Sequence, residues 1–306
     1  MFQLNLDDIN ERCLRDPAEF VGMSEQSYTN VIESIAERIC ENRYERKILL
    51  LNGPSSSGKT TTANRIRDAI RRRGVHSQSI SMDDYYQSRD RYKVPLDEDG
   101  NPDLESPLCM DLPMLRDHLA ALCRGETIAV PTYDFMHHIR TEETKEVHLK
   151  KGEIVVIEGI HAFNDVLMAK VRESSIGIYM AIGTQLVISN NWRLAPHILR
   201  FVRRAIRDKN FRDSSVLETI DMWRSVRRGE KLYIRPYISS ADFIVNTYLP
   251  YEGCVLMNQL RVDAEPYHQE MEDAGLGDLV RALDRFAVLD DLRLIPKNSI
   301  MHEFIG

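Results

Sequence analysis

No stretch of this 306-residue chain approaches the ~20 consecutive apolar residues that a membrane-spanning helix requires, so no membrane partner is expected. Residues 1–8 are acidic and polar, unlike the cationic and then apolar start of a secretory signal, which makes the cytoplasm the expected compartment. Cysteine is scarce. Cys13, Cys40, Cys109, Cys123 and Cys254 are odd in number and scattered, with no Cys-x-x-Cys spacing, and this argues against a disulfide framework or a zinc site. Basic charge is also short: 40 Lys and Arg against 47 Asp and Glu leave a formal net charge of −7, so a nucleic-acid partner is not expected. There is no internal repeat, no low-complexity tract and no Asn-Lys-x-Asp of the kind that reads guanine. What the chain does have is 43% hydrophobic residues, enough for the core of one large α/β domain with additions.

Residues 53–60 read Gly-Pro-Ser-Ser-Ser-Gly-Lys-Thr, a complete Gly-x-x-x-x-Gly-Lys-Ser/Thr phosphate loop. Its context fits. Upstream, Ile48, Leu49, Leu50 and Leu51 form the short unbroken apolar run of a strand buried on both faces. Downstream, Ala63, Ile66, Ala69 and Ile70 predict a helix over residues 60–73, stopped at Gly74. Backbone N–H groups of such a loop, together with the helix N-terminus, point at a polyanion. Lys59 would neutralise the β and γ phosphates of a nucleotide and the Thr60 hydroxyl would sit on Mg²⁺.

From residue 47 onward strands alternate with helices: strands over 75–82, 153–157, 176–182 and 241–246, and a helix over 114–124. That alternation predicts an α/β fold of the P-loop NTPase type, a doubly wound parallel sheet with helices on both faces and ligands at the carboxyl ends of the strands. Before it, a helix over residues 27–46 reads as a packing extension, so residues 1–46 form an N-terminal helical extension to the phosphate-loop unit over 47–261. Residues 262–306 carry a further helix candidate over 276–286 and a tail. The Asp-, Pro- and Gly-rich stretch 87–113 reads as a binding loop.

Two strand ends deliver carboxylates toward the loop. Asp83 and Asp84 follow the second strand, and one of them can act as a general base toward an attacking hydroxyl, with Asp84 capping a turn as the other reading. Glu158 ends the apolar strand Ile154-Val155-Val156-Ile157, where an acidic residue would hold the Mg²⁺ hydration shell opposite Thr60. Residues 193–235 reverse the chain's charge, with twelve basic residues against five acidic, and call for an anionic ligand.

These motifs, in this order, resemble the uridine kinase and phosphoribulokinase family of phosphate-loop kinases. The resemblance spans residues 47–249 and rests on the phosphate loop, Asp83-Asp84-Tyr85-Tyr86, Pro131-Thr132-Tyr133-Asp134-Phe135, Glu158-Gly159-Ile160-His161-Ala162-Phe163 and Arg203-Arg204-Ala205-Ile206-Arg207-Asp208. It implies that Asp83 is the catalytic base toward a nucleoside 5′-hydroxyl and that Thr60 and Glu158 form the magnesium shell. Gly53, Ser55, Ser56, Ser57, Gly58, Lys59, Thr60 and Thr61 would bind ATP. Tyr85, Glu105, Tyr133, His138, Arg140 and Arg204 would contact the acceptor. Arg207 and Arg212 would join Lys59 and Asp83 in catalysis from an arginine-rich helical lid over about 193–235.

The implied activity is ATP- and Mg²⁺-dependent phosphorylation of uridine or cytidine, in pyrimidine salvage, by a homo-oligomer. A same-fold kinase acting on another nucleoside, a sugar phosphate or a vitamin precursor is the alternative, and a non-catalytic nucleotide sensor is a further one. Departures from the pattern are Glu105 where the family commonly has aspartate, and Arg212-Asp213-Ser214 in place of Arg-Gly-Arg at the lid end. The loop 183–197 and the tail 295–306 are longer than in compact uridine kinases and resemble a bacterial subgroup. His137 and His161 carry no expected chemical role.

Overall fold

Ile48, Leu49, Leu50 and Leu51 are each no more than 1% exposed, and they divide between two cores. The alternation of a strand sends Ile48 and Leu50 to one face of the sheet and Leu49 and Leu51 to the other. A computed structural model describes residues 2–89, 92–134 and 136–306. Asp90 and Arg91 of the expected binding loop and Phe135 of the Tyr-Asp-Phe motif lie outside the described residues.

In chain order the elements are β1 (Phe2–Asn5), α1 (Leu6–Arg15), α2 (Pro17–Asn42), β2 (Ile48–Asn52), α3 (Lys59–Arg72) and β3 (Ser77–Ser81). They continue with α4 (Leu112–Cys123), β4 (Ile128–Asp134), β5 (Ile139–Val147), β6 (Ile154–Gly159), α5 (Asp165–Val171), β7 (Ser175–Ala181), β8 (Thr184–Ser189) and β9 (Trp192–Leu194). The last are α6 (Pro196–Arg212), α7 (Val216–Gly229), β10 (Phe243–Asn246), α8 (Glu252–Ala264), α9 (His268–Asp273), α10 (Gly277–Ala282) and α11 (His302–Ile305).

The central sheet is all parallel, in the order β10-β7-β2-β6-β3. Helices α4 and α5 cover the face of Ile48 and Leu50, while α2, α3, α6 and α8 cover the face of Leu49 and Leu51. This is the doubly wound α/β architecture that the alternation predicts, and the predicted strands and helices of the 47–261 region fall within a few residues of the observed ones. Helix α3 stops as expected: Gly74 has φ +77°, its N–H donates to Arg71 O at 2.9 Å, and Val75 N–H donates to Ile70 O at 3.1 Å.

Three features lie outside the sequence-based expectation. Strand β1 pairs in parallel with β8, which turns back on β9, making a second small sheet. The N-terminal helix is longer than predicted and is preceded by α1; Asp16 caps it, accepting from Glu19 N at 2.9 Å. Strands β4 and β5 form an antiparallel hairpin, with Tyr133 opposite Arg140. No helix among the described residues is long and apolar enough to cross a membrane.

Within the arginine-rich segment, the first three turns of α6 are not a solvated helix face, although Arg193, Lys209, Arg212, Arg224, Lys231 and Arg235 are exposed. In α6, Arg200, Arg203, Arg204 and Arg207 are all at least nine-tenths buried, because Leu199, Phe201, Val202, Ala205 and Ile206 on the same helix pack into the core. Arg203 donates to both carboxylate oxygens of Glu252, at 2.9 and 2.6 Å, and to Thr247. Part of the positive run is therefore neutralised inside the fold rather than facing an external anion.

Candidate active site

The loop 53–58 joins β2 to α3 and its glycines are required by contact and by conformation. A Cβ on Gly53 would lie 2.0 Å from Met180 O, and Gly58 has φ +84°. Ser56 is also left-handed, with φ 60°. Gly58 is the N-cap of α3 and has no side chain to cap it. The hydroxyls of Ser56 and Ser57 are buried without a hydrogen-bond partner among the described residues. Buried polar groups in this state call for a ligand to pair with. A polyanion drawn into the loop satisfies that demand.

Lys59 folds back over the loop, donating from Nζ to Pro54 O at 3.0 Å. Enclosure pushes its pKa down, and the carboxylates of Glu158, Glu303 and Asp83 oppose that shift. Thr60 Oγ1 lies 3.2 Å from Glu158 Oε2 and 3.3 Å from Oε1, so the pair expected to share a metal stands together. The register explains this. Leu51 pairs with Glu158 across β2 and β6, which brings the end of the apolar strand level with the loop. Burial raises the Glu158 pKa; Lys59 lowers it and Asp83 raises it further.

Asp83 sits in a 3₁₀ turn at the end of β3, where Ser81 Oγ accepts from its N–H at 3.2 Å. Its carboxylate opens into a cleft of about 870 Å³ bounded by Ser55, Glu105, Tyr133, His138, Arg204 and Arg212. Asp83 is exposed to the open cleft, and desolvation within it raises the pKa against the pull of Lys59 and Arg212. Glu105 is likewise pushed up by burial, with Arg204 and Arg200 opposing.

The wall of the cleft is built by the β4–β5 hairpin. Asp134 organises its turn, accepting from Met136 N at 2.8 Å and His137 N at 3.2 Å, and places His138 at φ 57° on the cleft side. Tyr133 meets Tyr86 with ring centroids 5.6 Å apart. Across from them, Arg204 Nη1 and Arg207 Nη1 donate to Ser55 Oγ at 3.2 and 3.4 Å, and Asp208 binds both guanidinium groups and lies 3.6 Å from Arg212 Nε. Arg204 and Arg207 thus reach the phosphate loop, and Arg212 lines the cleft beside them. Thr61 also has a carboxylate partner, Glu303 of α11, with Oγ1 donating at 3.1 Å.

Two of the expected acceptor contacts are elsewhere. The Tyr85 ring is fully buried in the core beneath α4 and its hydroxyl pairs with His118 Nδ1 at 2.9 Å, so it faces away from the cleft; the neighbouring Tyr86 lines it instead. Arg140 lies behind the wall. Its guanidinium donates to Tyr85 O at 3.2 Å and Tyr86 O at 3.3 Å and lies 3.4 Å from Asp111 Oδ2, which makes it a tie between the hairpin and the turn that carries Asp83.

Motif reading also missed residues. Arg89 and Tyr92 line the cleft, and Arg200 donates to Ser55 O at 3.1 Å while pairing with Glu230. His161 is buried, and burial lowers its pKa to about 4. The neutral ring donates from Nε2 to Glu105 O at 3.0 Å, anchoring the acceptor-side loop to the end of β6. A buried histidine immediately after the Glu158 strand was the available signal.

Residues 48–250 match the profile described as the Phosphoribulokinase / Uridine kinase family. A uridine kinase of Deinococcus deserti is 30% identical over 194 residues, covering 63% of this chain and 84% of that protein. A uridine kinase of Borrelia turicatae is 31% identical over 200 residues, covering 65% and 85%. Among solved structures, a possible uridine kinase from Bacillus stearothermophilus is 21% identical, with a TM-score of 0.44 over 68% of this chain and 96% of that one.

Proposed function

The chain belongs to the phosphoribulokinase / uridine kinase family of phosphate-loop kinases, and from that premise we propose that it transfers the terminal phosphoryl group of ATP to the 5′-hydroxyl of uridine or cytidine, as in pyrimidine salvage. The observation that carries the reading is the cleft itself. It is lined by two carboxylates, Asp83 and Glu105, by an aromatic and histidine wall from Tyr133 and His138, and by Arg204, which with Arg207 leans on the phosphate loop.

Asp83 accepts the proton of the acceptor hydroxyl as that oxygen attacks, a role of ~10²–10⁴ in rate for a well-placed base. Lys59, Arg207 and Arg212 stabilise the charge that develops on the transferring group, a contribution that can reach ~10³–10⁵ from an arginine at such a site. Tyr133 and Tyr86 offer faces and a polar edge to a planar base, and His138 offers a hydrogen bond at its rim. Thr60 and Glu158 present two hard oxygen donors side by side, a set that suits Mg²⁺ with most of its waters retained. Bound there, Mg²⁺ would supply neutralising charge to the β and γ phosphates. Arg204 and Asp208 hold the lid helix against Ser55, so the acceptor cavity is bounded without a large closure of α6.

Product identification with purified protein, ATP, Mg²⁺ and a panel of nucleosides and sugars tests the reading. UMP or CMP as the preferred product supports it. Phosphorylation of a sugar phosphate or purine nucleoside in preference would overturn the acceptor assignment while keeping the kinase.

A further inference from the structure

Helix α3 starts with an unusual deficit. Its N-cap is Gly58, which has no side chain to accept a hydrogen bond, and its first turn contains no acidic residue. The first N–H groups of a helix have no partner within the helix and carry its positive end, so they need an acceptor from outside. One acceptor comes from 242 positions along the chain. Glu303 Oε2 lies 3.4 Å from Thr61 N and 3.1 Å from Thr61 Oγ1, in the first turn of the helix that follows the phosphate loop.

The backbone bearing Glu303 is firmly placed. Ile300, Met301 and Phe304 on either side of it are fully buried. Ile300 Cδ1 packs 3.7 Å from where a Cβ on Gly58 would be, and the Phe304 ring carries the Arg203 guanidinium 4.9 Å from its centroid. Asn210 Nδ2 donates to Phe304 O at 2.9 Å. The Glu303 side chain itself is only half-buried, so it can leave the helix end by a rotamer change while the tail stays packed. In the loop that precedes α3, the buried hydroxyls of Ser56 and Ser57 are unpaired among the described residues, so the carboxylate does not meet all of the loop's demand for an anion.

We propose that Glu303 is a donor-site residue: its carboxylate occupies, on the first turn of α3, a position that a phosphate of the donor nucleotide takes, and the nucleotide must displace it to bind. The inference rests on the donor-site reading of the phosphate loop. Glu303 thereby sets the affinity for the polyphosphate, since every bound nucleotide gives back the hydrogen bonds that the carboxylate held, and the carboxylate's charge opposes phosphates arriving beside it. Glu303 does not line the acceptor cleft.

The test compares the full chain with Glu303→Gln and Glu303→Ala by calorimetric titration of ATP and of ADP, together with thermal melts with and without nucleotide. Both variants are expected to bind ATP and ADP about tenfold more tightly, the scale of one carboxylate removed from a helix N-terminus. Their nucleotide-free melting temperatures should fall, most for alanine, and a saturating nucleotide should restore them to or above that of the parent. ATP binding by the parent with unchanged or weaker binding by both variants overturns the role given to Glu303 and leaves the donor site standing. No binding of either nucleotide by any of the three proteins overturns the donor-site reading, and the inference with it.

Discussion

The protein around Asp83 disfavours its charged form, and Lys59 and Arg212 favour it; the first effect wins and the pKa rises. Two consequences have opposite signs. As a base Asp83 must be ionised, so the acid limb of the rate profile should lie above the ordinary carboxylate range, and Arg212→Ala, which removes one opposing cation, should move that limb to still higher pH. For stability, the folded state holds the Asp83 proton more tightly than the unfolded chain. Stability is therefore lost as pH rises from the ordinary carboxylate value through the raised one. Asp83→Asn removes the charge that carries this penalty. It should lose about 10²–10⁴ in turnover, retain ATP binding and melt at a higher temperature than the parent at neutral pH. Turnover near the parent rate in a purified Asp83→Asn sample would rule out the base assignment.

The same scale shows where reading residues from sequence works. The placing of Glu158 beside Thr60 was legible because Glu158 lies at the end of the apolar strand β6, in register with β2, and Thr60 closes the phosphate-loop motif; Asp83 follows a serine-rich strand, β3, and was placed by motif order. Tyr85 and Tyr86 were not separable, since they are adjacent in a short 3₁₀ turn and no periodicity says which ring enters the core. Arg140 and Glu303 depend on partners tens to hundreds of residues away, which no local pattern reveals.

Among the elements, α6 shows how a charged helix can be structural. Arg203 is fully buried and Glu252 of α8 nearly so, and their pairing is completed by Thr247 and by Leu249 N–H, which donates to Glu252 Oε2 at 3.0 Å. Removing one member of such a pair strands the other without solvation. Glu252→Ala should cost about 3–5 kcal/mol. Asp278→Ala, which breaks the exposed Arg281–Asp278 pair, should cost no more than ~1 kcal/mol. Urea titrations of the two variants beside the parent measure both, and equal midpoints would show that the buried pair is not what holds α6 to α8.

Among the elements that sequence reading found, β2, α3, α4, β6 and β7 stand out because their own residues are apolar on every face or at a helical period, whereas β3 and β10 were found from the strand–helix alternation around them. Strand β5 runs Ile-Arg-Thr-Glu-Glu-Thr-Lys-Glu-Val, mostly exposed, and is a strand only because β4 pairs with it. The three- and four-residue strands β9 and β1 are likewise made by their neighbours, and they are too short to carry a period of their own.

Across the whole molecule, the segments outside 47–261 are part of the same core as the phosphate-loop helix. Ile9, Phe20, Ile32, Ile35 and Ile39 from the N-terminal side, and Leu279, Ile300 and Phe304 from the C-terminal side, join α3, α6 and α8 in one cluster. A polar network runs through it: Glu25 of α2 pairs with Arg65 of α3 at 3.1 Å, Tyr251 donates to Glu25 at 2.7 Å, Tyr251 and Ser299 hydroxyls lie 3.2 Å apart, and Tyr28 meets Thr62 at 2.6 Å. Cutting the chain back to 47–261 would bare the apolar face of α3 and take from Arg65 its partners Glu25, Tyr28 and Thr29. A fully buried aliphatic or aromatic side chain is worth ~1.5–3 kcal/mol. Stripping these eight side chains from the cluster therefore removes stabilisation that rivals the ~5–15 kcal/mol holding an ordinary domain folded. The 47–261 fragment should lack a cooperative urea transition and near-ultraviolet dichroism, even with ATP present. A fragment that unfolds cooperatively with a midpoint near that of the full chain would show instead that the terminal segments are packed onto a self-sufficient kinase core.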